Sequence, residues 1–78
     1  MFFTYDPEAD AIYVEFAEAN ERSYGERVDE QRIVHRDEAG ACIGVEFLFV
    51  SRGLNLDGMP EADRVRDLLR SIPQPASA

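Results

Sequence analysis

His35 is the one side chain in this sequence whose ordinary titration falls near neutral pH, so acid–base chemistry would have to begin there. Arg36 follows it and Asp37 stands two positions on. To work as a general base, or as a metal or ligand contact, His35 would need a nucleophile and an orienting carboxylate within hydrogen-bond reach. Ser23, Ser51 and Cys42 are the candidate nucleophiles, and nothing in their spacing brings any of them to the imidazole. The plainer reading is a half-exposed strand histidine. Cys42 opens an apolar run with no histidine or basic residue beside it, which describes a small buried hydrophobe better than an activated thiolate. As the single cysteine it excludes an intrachain disulfide, and one cysteine with one histidine is too few for a structural zinc.

Asp6, Glu8 and Asp10 place oxygen ligands at alternate positions, as the start of a calcium loop does. The pattern then fails: Ala11 stands where the loop requires glycine and Ala17 where it requires a bidentate glutamate. The acids are better read as shaping a turn around Pro7, with side chains bonding turn amides. Arg64, Arg66 and Arg70, interleaved with Asp63 and Asp67, read as a solvated helix face with i,i+3 pairs. Glycine-rich phosphate loops, paired metal ligands and nucleophile elbows are absent. No catalytic, cofactor-binding or metal-binding residue is assigned, and no cofactor is expected.

The elements that must carry these residues follow from size and patterning. With 78 residues the chain is one domain with a thin stability margin, expected over residues 1–73 with 74–78 as a disordered tail. Sixteen acids face eight bases, all arginine, for a net charge of −8. That balance argues against unaided binding to nucleic acid; its plainer reading is a well-solvated surface, and its sharper one a surface that meets a basic protein partner. No N-terminal signal-peptide pattern and no stretch near the roughly 20 apolar residues of a membrane span occur, so a cytoplasmic location is expected.

The organising stretch is Gly44-Val45-Glu46-Phe47-Leu48-Phe49-Val50, whose valines and phenylalanines favour extended backbone. Alternation puts Val45, Phe47 and Phe49 on one face and Glu46, Leu48 and Val50 on the other. Strands are expected over Phe2–Tyr5, Ala11–Phe16, Ser23–Val28, Arg32–Asp37 and Ala41–Val50, the third being a charged, glycine-weakened edge. Tight turns fall at 6–10 and 38–40, with Gly40 supplying a positive φ. Leu54 and Leu56 are expected to anchor the irregular chain that follows. Pro60 then suits the first position of a helix with a buried stripe of Ala62, Val65, Leu68, Leu69 and Ile72, stopped by Pro73. The fold class is α+β: an antiparallel meander of four to five strands with one C-terminal amphipathic helix on the face of Val45, Phe47, Phe49, Ile12 and Val14. Nothing remains to cover Tyr13, Leu48 and Val50 on the other face, so a homodimer burying part of it is expected.

The run Tyr5-Asp6-Pro7-Glu8-Ala9-Asp10-Ala11-Ile12-Tyr13-Val14 resembles the opening of a small prokaryotic family known as domain of unknown function 2283. Asp37-Glu38-Ala39-Gly40 is similar to that family's acidic turn, and Ile43-Gly44-Val45-Glu46-Phe47-Leu48 to its Val-Gly-Ile-Glu-Ile-Leu strand. The resemblance covers roughly residues 2–50 and implies a β-rich domain with a C-terminal helix. It brings no catalytic residues. Some members are thought, from genomic setting, to be antitoxins beside a small RNA-cleaving toxin. This chain departs where His35 and Arg36 replace an acid and an apolar residue, which leaves open the face that strand presents to the core. Tyr5 and Tyr13 are expected to pack together across the first hairpin.

The functional expectation is a non-catalytic protein-binding module, of the antitoxin kind, meeting a basic protein. The alternatives are a small enzyme or a metal- or ligand-binding domain using His35 and nearby carboxylates, and a purely structural homo-oligomer.

Overall fold

Val45 and Phe47 are the centre of the molecule because their strand has a neighbour on each side and a helix above. The computed structural model describes residues 2–70. Its strands are β1 (Phe2–Asp6), β2 (Ala11–Glu15), β3 (Tyr24–Arg27), β4 (Arg32–Arg36) and β5 (Cys42–Leu48), followed by a 3₁₀ turn (Val50–Arg52) and the helix α1 (Ala62–Leu69). The strands form one sheet in the order β1-β2-β5-β4-β3, with antiparallel neighbours throughout. The expected class holds, an antiparallel α+β fold with a C-terminal helix. One crossing interrupts the neighbour-to-neighbour order, because the polar segment after β2 carries the chain to the far edge and β3, β4 and β5 work back. The end of β2 is tied to the centre as it leaves: Phe16 and Ala17 both donate their N–H to the Ile43 carbonyl, at 2.8 and 3.1 Å.

The core is built on one face. Ile12, Val14, Val34, Val45 and Phe47 from the sheet meet Val65 and Leu69 from α1, with Met59 filling the space ahead of the helix. Direct pairing of Tyr5 with Ile12 and of Phe3 with Val14 places these two β1 aromatics on this side, where they pack against the cluster. Tyr13 therefore points the other way, and the expected Tyr5–Tyr13 contact does not form. A one-residue difference in register parity sends the two rings to opposite faces.

Four expectations about the chain after β5 are corrected. Phe49 is not a core residue of the strand: it has a left-handed backbone, φ 54°, and is 43% exposed, with the Arg52 guanidinium 5.0 Å from its ring centre. The cause is the first hairpin. Asp10 accepts the Val50 N–H on its carbonyl at 3.0 Å, the Ser51 N–H on Oδ1 at 3.0 Å and the Ser51 hydroxyl on Oδ2 at 2.7 Å. These bonds turn the chain out of the sheet at Phe49, and Val50, expected on the open face, packs on the core side instead. Leu54 is exposed; Leu56 and buried Met59 are the anchors of the loop, joined by a Met59 N–H to Leu56 carbonyl bond of 3.1 Å. Pro60 is not the first helical residue, because Glu61 caps α1 in a left-handed conformation and the helix starts at Ala62. Val65 and Leu69 are its buried positions, and the i,i+3 pairs Arg64–Glu61, Arg66–Asp63 and Arg70–Asp67 form on its outer side. Ile72, Pro73 and the tail lie outside the described residues.

Asp29 fastens the β3–β4 turn. Its carboxylate accepts Arg32 Nε at 2.9 Å and the Gln31 N–H at 2.9 Å, while Arg32 reaches on to the Asp57 carbonyl at 2.6 Å and so ties that turn to the loop before α1. The Arg32 hydrogen bond, then that of Gln31, hold the Asp29 carboxyl below the usual carboxylate range. A carboxyl whose folded-state pKa is depressed stabilises the fold above its unfolded-state value, and that contribution is lost as pH falls through the folded-state value. The urea midpoints of wild type and Asp29→Asn are therefore expected to differ most above about pH 5 and to converge below about pH 4. A gap that stays constant into strong acid would show that the charge on Asp29 is not what holds the turn.

Candidate functional site

The sheet face away from α1 carries the polar constellation that sequence spacing could not assemble. His35 in β4 is paired across the sheet with Gly44 in β5 and with Gly25 in β3, so a side chain is missing on both sides of the imidazole. The ring uses that room: a Cβ added at Gly25 would lie 3.4 Å from His35 Cε1. On the next strand Glu46 stands diagonal to His35, and its Oε1 lies 2.9 Å from His35 Nε2. An ionised carboxylate only accepts, so Nε2 carries the proton and donates. Tyr13, the direct cross-strand partner of Glu46, stacks edge-on against the imidazole with ring centres 5.0 Å apart. Its hydroxyl lies over Gly44, where an added Cβ would come within 2.6 Å of it.

Each member is there for a local reason. Tyr13 and Glu46 occupy strand positions whose neighbours Ile12, Val14, Val45 and Phe47 are committed to the core, so alternation sends them to the open face. The facing of β4, undecided in the sequence, is settled by Val34 entering the core, which leaves His35 on the open face, diagonal to Glu46. Both His35 and Glu46 are half-buried, and no buried side-chain polar atom among the described residues lacks a partner. Burial, followed by the nearby charges of Glu15 and Glu46, pushes the Tyr13 hydroxyl above its ordinary titration range. Tyr13 therefore presents a neutral hydroxyl and an aromatic surface, not a phenolate.

The other sequence-level candidates are placed elsewhere. Asp6 Oδ1 accepts the Glu8 and Ala9 amides at 3.1 and 3.2 Å, so the first turn is held as the sequence predicts. Asp10 is taken up by Ser51, as described above. Glu8 is exposed, and among the described residues no group of three or more histidine, cysteine or acidic side chains is arranged to hold a metal ion. Ser51 is bonded to Asp10, and the Ser23 hydroxyl accepts the Asn20 amide at 2.9 Å; neither is brought to His35. Cys42 donates weakly to the Gly44 carbonyl at 3.4 Å and packs against the core cluster. Asp37, two residues from His35, bonds the amides of Ala39 and Ala41 in the next turn. The partner of His35 is thus Glu46. Its signal in the sequence was a lone acid in an otherwise apolar strand.

Five antiparallel strands under one helix, with a glycine-flanked Tyr–His–Glu group on the open face, define a small two-layer α+β domain. The family model for a protein of unknown function, DUF2283, matches residues 3–51, which spans β1 through β5, and the chain belongs to that family. Comparison with curated proteins and with solved structures found no match. No helix among the described residues is long and apolar enough to cross a membrane.

Proposed function

We propose that this protein is a non-catalytic binding module that takes up a cationic protein, in the manner of an antitoxin holding a small RNA-cleaving toxin. The observation that carries the reading is how charge is distributed. All eight arginines are engaged within the chain. Arg22, Arg32, Arg36, Arg64, Arg66 and Arg70 form ion pairs with acids, Arg27 bonds the Asp29 and Glu30 carbonyls, and Arg52 lies over Phe49. Glu8, Glu15, Glu18, Glu21 and Glu30 have no such partner among the described residues. The field the molecule presents outward is therefore anionic, which repels nucleic acid and speeds capture of a basic surface. Co-expression with the product of the adjacent gene, followed by size exclusion, tests this. A complex that co-elutes at about 0.15 M salt supports the reading. Failure to associate even at low salt overturns it.

The open face favours a second reading as a ligand-binding domain, because Tyr13, His35 and Glu46 present aromatic surface and hydrogen-bonding groups together. Its ligand would be held by Tyr13 and the imidazole edge, and loss of binding in Tyr13→Ala would identify it.

A further inference from the structure

The two edges of the sheet are built differently. β3 is short and holds Gly25, Glu26 and Arg27, which discourage another strand from pairing with it. β1 has no glycine, and its one charge, Asp6, stands at its end. Phe2, Phe3, Thr4 and Tyr5 carry no charge and no proline, and their pairing with β2 runs without a shift from Phe2 to Asp6. Among the described residues β1 is paired on one side only, so alternate residues direct their N–H and C=O groups outward with no described strand to receive them.

The surroundings of that edge say what kind of strand it suits. From the first residue through Glu21 the chain has six acids, Asp6, Glu8, Asp10, Glu15, Glu18 and Glu21, and no base; the first cation is Arg22. Glu15 and Glu18 wall a shallow groove of about 540 Å³ whose apolar sides are Phe2, Phe16 and Ala17. Phe2 is 58% exposed there. A groove with aromatic walls and two carboxylates fits a side chain with an apolar stem and a cationic head. Asp6 and Glu8 put negative charge at the opposite end of β1. A second copy would bring an equally acidic hairpin against this one, so charge disfavours pairing of β1 with itself.

We propose that the free edge of β1 is a strand-addition site for an extended segment of a basic protein, apolar in its middle and carrying arginine or lysine at both ends. One end seats in the Phe2–Phe16 groove against Glu15 and Glu18; the other meets Asp6 and Glu8. Main-chain bonds to β1 supply the affinity and the flanking cations the selectivity. The inference rests on the cationic-partner reading above and assigns that reading a surface.

The test uses the full chain, isotope-labelled for amide NMR, and three synthetic peptides. The first alternates valine and threonine with arginine at both ends, the second has glutamate at the ends, and the third keeps the arginines but has proline at its centre. The first peptide is expected to shift the amides of residues 2–6 and 15–18 and to slow hydrogen exchange in β1. The other two are expected to do neither. Glu15→Gln/Glu18→Gln should weaken binding roughly fivefold to tenfold. Glu30→Gln/Asp57→Asn, which removes the same charge beside β3 and β4, should leave it within about twofold. Equal binding of the proline peptide, or shifts centred away from β1, would overturn the edge assignment while leaving the cationic-partner reading standing. Protection of β1 that rises with protein concentration and no peptide would assign the edge to a second copy and overturn the proposal. No shift with either arginine peptide at millimolar concentration would remove both.

Discussion

Phe47→Ala is expected to remove most of the protein's stability at room temperature. Phe47 is 1% exposed at the centre of the middle strand, and its ring fills the space between the sheet and α1. Truncating such a ring costs about 3–5 kcal/mol, the lost transfer energy plus the cavity left behind. Small domains hold only about 5–15 kcal/mol in total, and a chain this short sits near the bottom of that range. Two positions on, Phe49→Ala is expected to cost about 1 kcal/mol or less, because that ring already keeps much of its surface in water. Urea titrations of both variants, followed by circular dichroism, check the pair. Similar midpoints for the two would mean that Phe49 shares the core and that the turn drawn by Asp10 and Ser51 is misplaced.

The second large effect is expected at Gly44. Adding one methyl there brings Cβ within 2.6 Å of the Tyr13 hydroxyl and 2.8 Å of the Val14 carbonyl oxygen. A side chain can swing aside, but the Val14 carbonyl belongs to β2, which is paired along its length with β5. Relief therefore requires the two central strands to separate locally, and overpacking of this kind costs about 1–3 kcal/mol. Gly44→Ala is expected to lower the urea midpoint by a corresponding amount, and the Tyr13→Phe background should restore only part of it, because the carbonyl stays in place. Gly25→Ala is the matched control. Its new methyl would meet only side-chain atoms, Ile33 Cγ2 at 3.2 Å and His35 Cε1 at 3.4 Å, and lower entropy of the unfolded chain offsets the crowding. A Gly44→Ala protein as stable as Gly25→Ala would show that the close approach of β2 to β5 relaxes freely.

The same close approach accounts for the site. Glycine at positions 25 and 44 leaves bare backbone on both sides of His35, and the imidazole and the Tyr13 ring lie over it. The Ile43-Gly44-Val45-Glu46 stretch, which lies within the residues matched by the family model, thus has a stereochemical reading here: Gly44 admits Tyr13, and Glu46 holds His35 by its Nε2 proton. A polar group built this way can serve as a structural tile and as a contact surface at once.

Five strands, their approximate bounds, the turn chemistry of Asp6 and Gly40, the central place of the Val45–Phe47 strand and the buried face of the helix were all legible in the residues. Each depends on local preference or on a period of 2 or 3.6, and such signals survive without knowledge of the fold. The charge of −8 was legible for the same reason, being a sum over residues. Tertiary structure alone decided the rest. Phe49 and Val50 exchanged roles because Asp10, some forty residues earlier, bonds Ser51 and bends the chain. Met59 became core although no periodicity surrounds it, because the Leu56 turn and Arg32 bring the loop onto the sheet. His35 met Glu46, and not its sequence neighbour Asp37, because strand register selects partners across the sheet, where spacing along the chain carries no information.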